Sequence, residues 1–230
     1  MVSPLASRDS HMLTAHMIQH LLLMTIAPPL IWMGEPLIVA GTVRWRLPNG
    51  PGRLLGHPAF CWLAAAAALV VWHVPSVFRL ALQSPAWHFI EHASFLTAGL
   101  LFWWPVIQPW PSVARWPRWT MLLYLFLATL PCDVLSGLLV FSDRVAYPMY
   151  LFRPRTSGLS PLEDQQCAAA LMWTCVTVVF LVAGTILSTQ ILSPGGNSGM
   201  KARRESEIEY ENFSPGRNSQ KSVEYFRMRR

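Results

Sequence analysis

The sequence predicts an all-α integral membrane protein, a bundle of about five transmembrane helices with its N-terminus outside and its C-terminus cytoplasmic. Three observations carry that prediction. Hydrophobic residues make up 53% of the 230-residue chain and charged residues only 13%, a balance unusual for a soluble domain of this size. Five apolar segments are long enough to cross about 30 Å of hydrocarbon, which takes roughly 20 helical residues. The 11 Trp and 5 Tyr cluster near the ends of those segments, where their amphipathic rings favour the headgroup region.

The first segment runs from about Met12 to Gly34 and carries Pro28-Pro29, which predicts a kink or thinning toward its far end. The second spans about Ala59 to Phe78 and is built on Ala64–Ala68, small residues that let helices approach closely. The third covers Pro85 to Ile107, the fourth about Trp116 to Phe141 and the fifth about Leu162 to Leu192. Pro48-Asn49-Gly50-Pro51-Gly52 and Gln108-Pro109-Trp110-Pro111-Ser112 punctuate the loops, because no helix continues through them.

Two regions follow: a transmembrane helical domain over 1–193 and a disordered, charged cytoplasmic tail over 194–230. The tail opens on the flexible linker Pro194-Gly195-Gly196-Asn197-Ser198-Gly199 and then mixes Glu205, Glu207, Glu209 and Glu211 with eight Lys or Arg. Orientation rests on the basic residues. Arg44, Arg46 and Arg53 follow the first segment, Arg115 and Arg118 lie between the third and fourth, and the tail is basic. These belong inside. The outer side then holds Arg8, Arg79, Arg144, Arg153 and Arg155, offset by Asp143, Glu163 and Asp164.

The net charge of +6 is accounted for by membrane orientation, so nucleic acid is not an expected partner and the lipid bilayer is. Cys61, Cys132, Cys167 and Cys175 show no close-spaced pattern, which argues against a disulfide framework or zinc site and for buried small hydrophobes. No small-residue cleavage pattern follows the first apolar run, which is read as retained. A nucleophile elbow, a phosphate loop and a paired-carboxylate pattern are all missing. An enzyme is not expected.

Histidines are the polar residues that stand out. His16 and His20 are four apart, as are His88 and His92, and four-residue spacing puts side chains on one helix face, about 5–6 Å apart at Cβ. With the N-terminus outside, both pairs and His73 occupy the outer third of the membrane, and His57 lies on the inner side. Each alone could be a structural histidine near an interface. Together they form a candidate metal site, His16, His20, His73, His88 and His92, because ionisable side chains in lipid face a bundle interior and neutral imidazole is the commonest nitrogen ligand. Met12 and Met24 extend the first pair at four-residue steps and could add thioether ligands suited to Cu(I). Carboxylates near this level are candidate partners that fix the imidazole tautomers: Glu91, adjacent to the second pair but pointing off its face, Asp133 in the outer half, and Asp164, which could equally cap its own helix.

Several motifs resemble one family. His16-Met17-Ile18-Gln19-His20-Leu21-Leu22-Leu23, Ala27-Pro28-Pro29-Leu30 and Gly34-Glu35-Pro36 are similar to signatures of the polytopic cytochrome c oxidase assembly factors of the CtaG type. Trp72-His73-Val74-Pro75, Glu91-His92-Ala93-Ser94-Phe95, Phe102-Trp103-Trp104-Pro105-Val106 and Asp164-Gln165-Gln166 with Met172-Trp173 follow in the family's order, over roughly residues 3–192. The resemblance implies a multi-pass protein of the bacterial inner membrane that serves respiratory-chain biogenesis. It would bind or hand over copper to a haem-copper oxidase at the outer side, with oxidase subunits or other copper chaperones as partners. Two other functions remain open: a b-type cytochrome holding haem between two histidines, and a metal-free scaffold for oxidase subunits.

Overall fold

The computed structural model describes residues 12–34, 56–107, 116–151 and 158–192. Among them the chain is helical, without strands. The loops bearing Arg44, Arg46, Arg53, Arg115, Arg153 and Arg155, the residues around Arg8, and the tail lie outside the described residues, as do the two proline- and glycine-rich loops. Residues 1–187 form one compact unit. A second begins at Ser188, and only its residues 188–192 are described.

The first span, Leu13–Met33, consists of α1 (Leu13–Leu21), a π-helical turn (Leu22–Ile26) and α2 (Ala27–Met33). Prolines explain the wide turn. Neither Pro28 nor Pro29 has an N–H to return to residue i−4, and each ring would crowd that carbonyl. The backbone therefore widens over Leu22–Ile26, a common site of π insertion in otherwise α-helical spans. The carbonyl of Met24, which Pro28 cannot bond, accepts instead from the indole N–H of Trp103 at 3.2 Å. Thr25 Oγ1 donates to the Leu21 carbonyl at 2.6 Å within the same turn.

Proline also corrects the second expected segment. Its helix, α3 (Pro58–His73), stops at His73, and a separate α4 (Pro75–Gln83) leaves at 76°. The residue before a proline is pushed out of the α region. Val74 accordingly sits at φ −66°, ψ 123°, and Ser84, ahead of Pro85, at φ −140°, ψ 128°. Pro75 and Pro85 each start the next helix, where a missing N–H costs nothing.

Helix α5 (Pro85–Ile107) is the hub, packing on α3, on α4 and on the first span. Gly99 makes this possible: a Cβ there would come within 2.7 Å of Pro28 Cγ and 2.8 Å of the Met24 carbonyl oxygen. Trp72 Nε1 donates to Ser94 Oγ at 2.6 Å and ties α3 to α5, while Trp32 Nε1 donates to the Leu100 carbonyl at 2.9 Å. Ala65 from the small-residue run is buried with Phe102, Trp103, Tyr124 and Leu125. Helices α6 (Arg118–Val140) and α7 (Pro161–Leu192) complete the set. Among the described residues, four spans, the first of them α1 to α2 with its π turn, and the bent α3–α4 pair taken together are long and apolar enough to cross a membrane. Leu30, Phe89, Phe126, Leu138 and Leu181 stay exposed, as side chains facing lipid do.

The start of α7 organises one end of the bundle. Ser160 and Glu163 form a capping box, with Glu163 N–H on Ser160 Oγ and Ser160 N–H on Glu163 Oε2. Asp164 is thereby spared its expected role at its own helix. It caps α1 instead, accepting from Leu13 N–H at 2.7 Å and from Thr14 N–H at 3.2 Å. Met12, at the N-cap position of α1, supplies no side-chain cap, so a carboxylate from 150 residues away meets the positive end of that helix. Gln165, buried beside it, accepts from Ala146 N–H and donates to the carbonyls of Leu139 and Arg144. That fixes the loop after α6 and seats Tyr147, whose hydroxyl donates to the His73 carbonyl left over where α3 ends. Burial pushes the Tyr147 phenol up, keeping it a donor. Of the cysteines, Cys61 and Cys132 are buried as expected, whereas Cys175 is half-buried and Cys167 exposed.

Candidate metal centre

The two histidine pairs meet. Helix α1 projects His16 and His20 from one face, with ring centroids 4.2 Å apart, and α5 projects His88 and His92 at 4.1 Å. Across the interface His16 lies 5.9 Å from His88 and 6.3 Å from His92, and His20 lies 5.3 Å from His92. Phe78, carried in by the bend at Val74, covers His16 at 4.9 Å.

Glu91 stands in the middle of this group, contrary to the expectation that it would point off the face. The i,i+3 relation to His88 explains its position, since residues three apart on a helix are neighbours as surely as those four apart. Its Oε1 lies 3.3 Å from His16 Nε2 and 3.5 Å from His20 Nε2. Both Glu91 and His16 are completely buried. Glu91 Oε2 and both ring nitrogens of His20 have no hydrogen-bond partner.

His92 is held by both nitrogens. Its Nδ1 lies 2.9 Å from the His88 carbonyl and so carries the proton donated there. Its Nε2 lies 2.8 Å from Gln19 Oε1. A neutral imidazole has only a lone pair left at Nε2, so this contact requires either an imidazolium or a Gln19 amide turned to present its NH2. Gln19 has a buried amide nitrogen without a partner, which favours the turned amide and a neutral His92. Sequence reasoning missed Gln19, although it shares the His16–His20 turn.

Two overlapping sets of donor atoms lie within 4.8 Å of one another: His16, His88 and Glu91, and His20, Glu91 and His92. Both contain Glu91. His73 belongs to neither; its Nδ1 is 2.7 Å from the Leu69 carbonyl, and its ring borders a neighbouring cavity. Met12 and Met24 take separate places on the same helix stripe. Met24 packs with Trp72 and Phe95, and Met12 sits at the start of α1.

These donors fit a metal ion by their chemistry. A buried carboxylate needs compensating positive charge, and the ion-pair partners of Glu91 among the described residues are imidazoles, which are charged only if protonated. Imidazole and carboxylate together suit borderline divalent and copper ions. Fold and site together define a polytopic membrane protein with a histidine–carboxylate cluster between its helices, His16, His20 and Glu91 buried and His88 and His92 half-buried. Residues 1–193 match the family described as cytochrome c oxidase caa3 assembly factor, CtaG, and the chain belongs to that family. No curated protein and no solved structure gives a significant match.

Proposed function

We propose that this oxidase assembly factor holds copper in the cluster of His16, His20, His88, His92 and Glu91 and passes it to a haem-copper oxidase during assembly. The observation that carries the reading is Glu91, a fully buried carboxylate with imidazoles from two helices around it. Under this proposal the protein acts by binding and delivery rather than by catalysis. It works in the bacterial inner membrane with the cluster toward the outer side, and its partners are oxidase subunits or other copper chaperones. Copper would take the imidazole nitrogens and Glu91 as ligands, with His92 Nε2 exchanging Gln19 for the ion, and the His88 carbonyl that holds His92 by Nδ1 would orient its ring. His73 would serve beside the cluster, not in it.

Haem is the weaker fit. The cavity that borders His20 and His73 measures about 70 Å³, against the roughly 300–1,000 Å³ of typical cofactor pockets. The test is copper analysis of the purified full-length protein beside its visible spectrum. Copper retained by the natural protein and lost on Glu91→Ala and His16→Ala supports the reading. A haem spectrum, or equal copper in all three proteins, overturns it.

A further inference from the structure

Beside the cluster, between α1, α3, α5, α6 and α7, lies the cavity of about 70 Å³, and its wall is unusual in its sulfur. Met17, Met24, Cys132 and Met172 all border it, together with His20 and His73. The remaining wall is almost wholly apolar.

The His73 ring is set as a ligand is set. Its Nδ1 proton is committed to the Leu69 carbonyl at 2.7 Å, so the lone pair is at Nε2. That nitrogen is buried without a hydrogen-bond partner, on a residue only 6% exposed. Metal-ligating histidines characteristically donate their other N–H to a carbonyl or carboxylate in this way. His20, also 6% exposed, brings an Nδ1 without a hydrogen-bond partner, while its Nε2 faces Glu91 Oε1 at 3.5 Å in the cluster.

We propose that this cavity is a second metal site, specific for a soft monovalent cation such as Cu(I), held by His73 Nε2 and sulfur from Met17, Met172, Met24 or Cys132. Thioether and thiol sulfur are polarisable and select Cu(I) over harder ions. Neutral donors suffice for one positive charge, which fits a wall without a carboxylate. Water is the competing occupant, since the His73 and His20 nitrogens could partner one, and sulfur in the shell of a bound ion is what distinguishes the two. The proposal rests on the copper reading in one respect: His20 borders both the cluster and the cavity, so an ion held at either lies one imidazole from the other.

Silver(I), a redox-inert analogue of Cu(I), tests it on the full chain in lipid nanodiscs, by equilibrium dialysis and X-ray absorption at the silver edge. The natural protein should show sulfur in the silver shell. The Met17→Leu/Met172→Leu double variant and His73→Gln should each weaken that binding about tenfold or more, while His88→Ala keeps it. Leucine for methionine conserves volume, and Cys132→Ala gives an independent probe of the same wall. A silver shell of nitrogen and oxygen alone, or methionine variants that bind silver as the natural protein does, overturns the second site. Copper still lost in Glu91→Ala would then leave the cluster proposal standing. If the natural protein takes up neither silver nor copper, both fail.

Discussion

The indole N–H of Trp103 donates to the carbonyl of Met24, 3.2 Å away, in the place that Pro28 leaves vacant. A tryptophan one helix away thus completes the hydrogen bonding of a broken turn. Trp103→Phe removes the donor and shrinks the indole to a phenyl ring, and should lower stability by at least about 1–3 kcal/mol, through the unmade buried acceptor and the volume lost beside it. Thermal unfolding in detergent, followed by the loss of monodisperse protein, reads it. No change would mean that water or a shifted Thr25 replaces the bond.

Gly99 answers the same turn from the other side. Gly99→Ala should cost about 1–3 kcal/mol through overpacking against Pro28 and Met24, although alanine is the better helix former. A Cβ added at Gly137 meets nothing within 4 Å among the described residues. Gly137→Ala is the matched control and should not destabilise the protein.

Asp164 should matter through the first helix. Asp164→Ala removes the acceptors of Leu13 and Thr14 N–H and should cost about 1–2 kcal/mol, the usual range for a lost cap. Asp164→Asn keeps one acceptor oxygen and should fall between the two. Hydrogen exchange localises the effect: faster exchange at residues 13–17 is expected, and faster exchange confined to the start of α7 would refute the cross-helix cap.

The histidines should behave as one unit under mutation. If His16, His20, His88 and His92 share a metal with Glu91, each change to Ala should lower copper content, and pairs should be non-additive because residues in one site are coupled. Glu91→Gln, which keeps shape and removes charge, should lower it as well. His57, exposed at the far end of α3 and bonded to Ala59 N–H, is the control. Equal copper in all variants and the control would make the histidines packing residues.

Orientation and tail make a separate prediction. The arginine pattern predicts the N-terminus outside, and cysteine labelling of the loop holding Arg44 and Arg46 should place that loop in the cytoplasm. Removal of residues 196–230 should leave folding and copper content intact, because mixed charge after a Gly/Ser linker offers no apolar face to pack. Labelling from the outside, or copper loss on truncation, would require a different assignment of sides or of the tail.

The sequence made the spans legible because twenty apolar residues in a row have few alternatives, and Pro85 and Pro161 mark helix starts by their missing N–H. It also showed which histidines share a face, since the four-residue period is a local property. What it left hidden were effects between helices. Pro75 ended α3 early, an outcome the X-Pro rule could have predicted but apolar continuity through Phe78 obscured. The i,i+4 period of the histidines hides how central Glu91 is, because it is the i,i+3 step that brings its carboxylate beside His88. Asp164 looked like a cap of its own helix, and no local pattern reveals that Ser160 and Glu163 had already filled that role. His73 shared the histidines' level in the chain but faced another space, set by where α3 bends.

Complete burial of His16 and Glu91, with Phe78 against the His16 ring, has a kinetic side. Ligand exchange at an open surface site is paced by bond breaking, whereas exchange at a sealed one is paced by local opening of the fold, on timescales from microseconds to seconds. An ion on buried His16 and Glu91, beneath half-buried His88 and His92, would therefore have a residence time that includes how often α4 swings away from α1. The two joints of α4, Val74 and Ser84, are the extended residues that prolines impose. Release would then depend on whatever loosens α4 as well as on the affinity of the ligands, so that a tight site and a timely delivery are compatible in one small bundle.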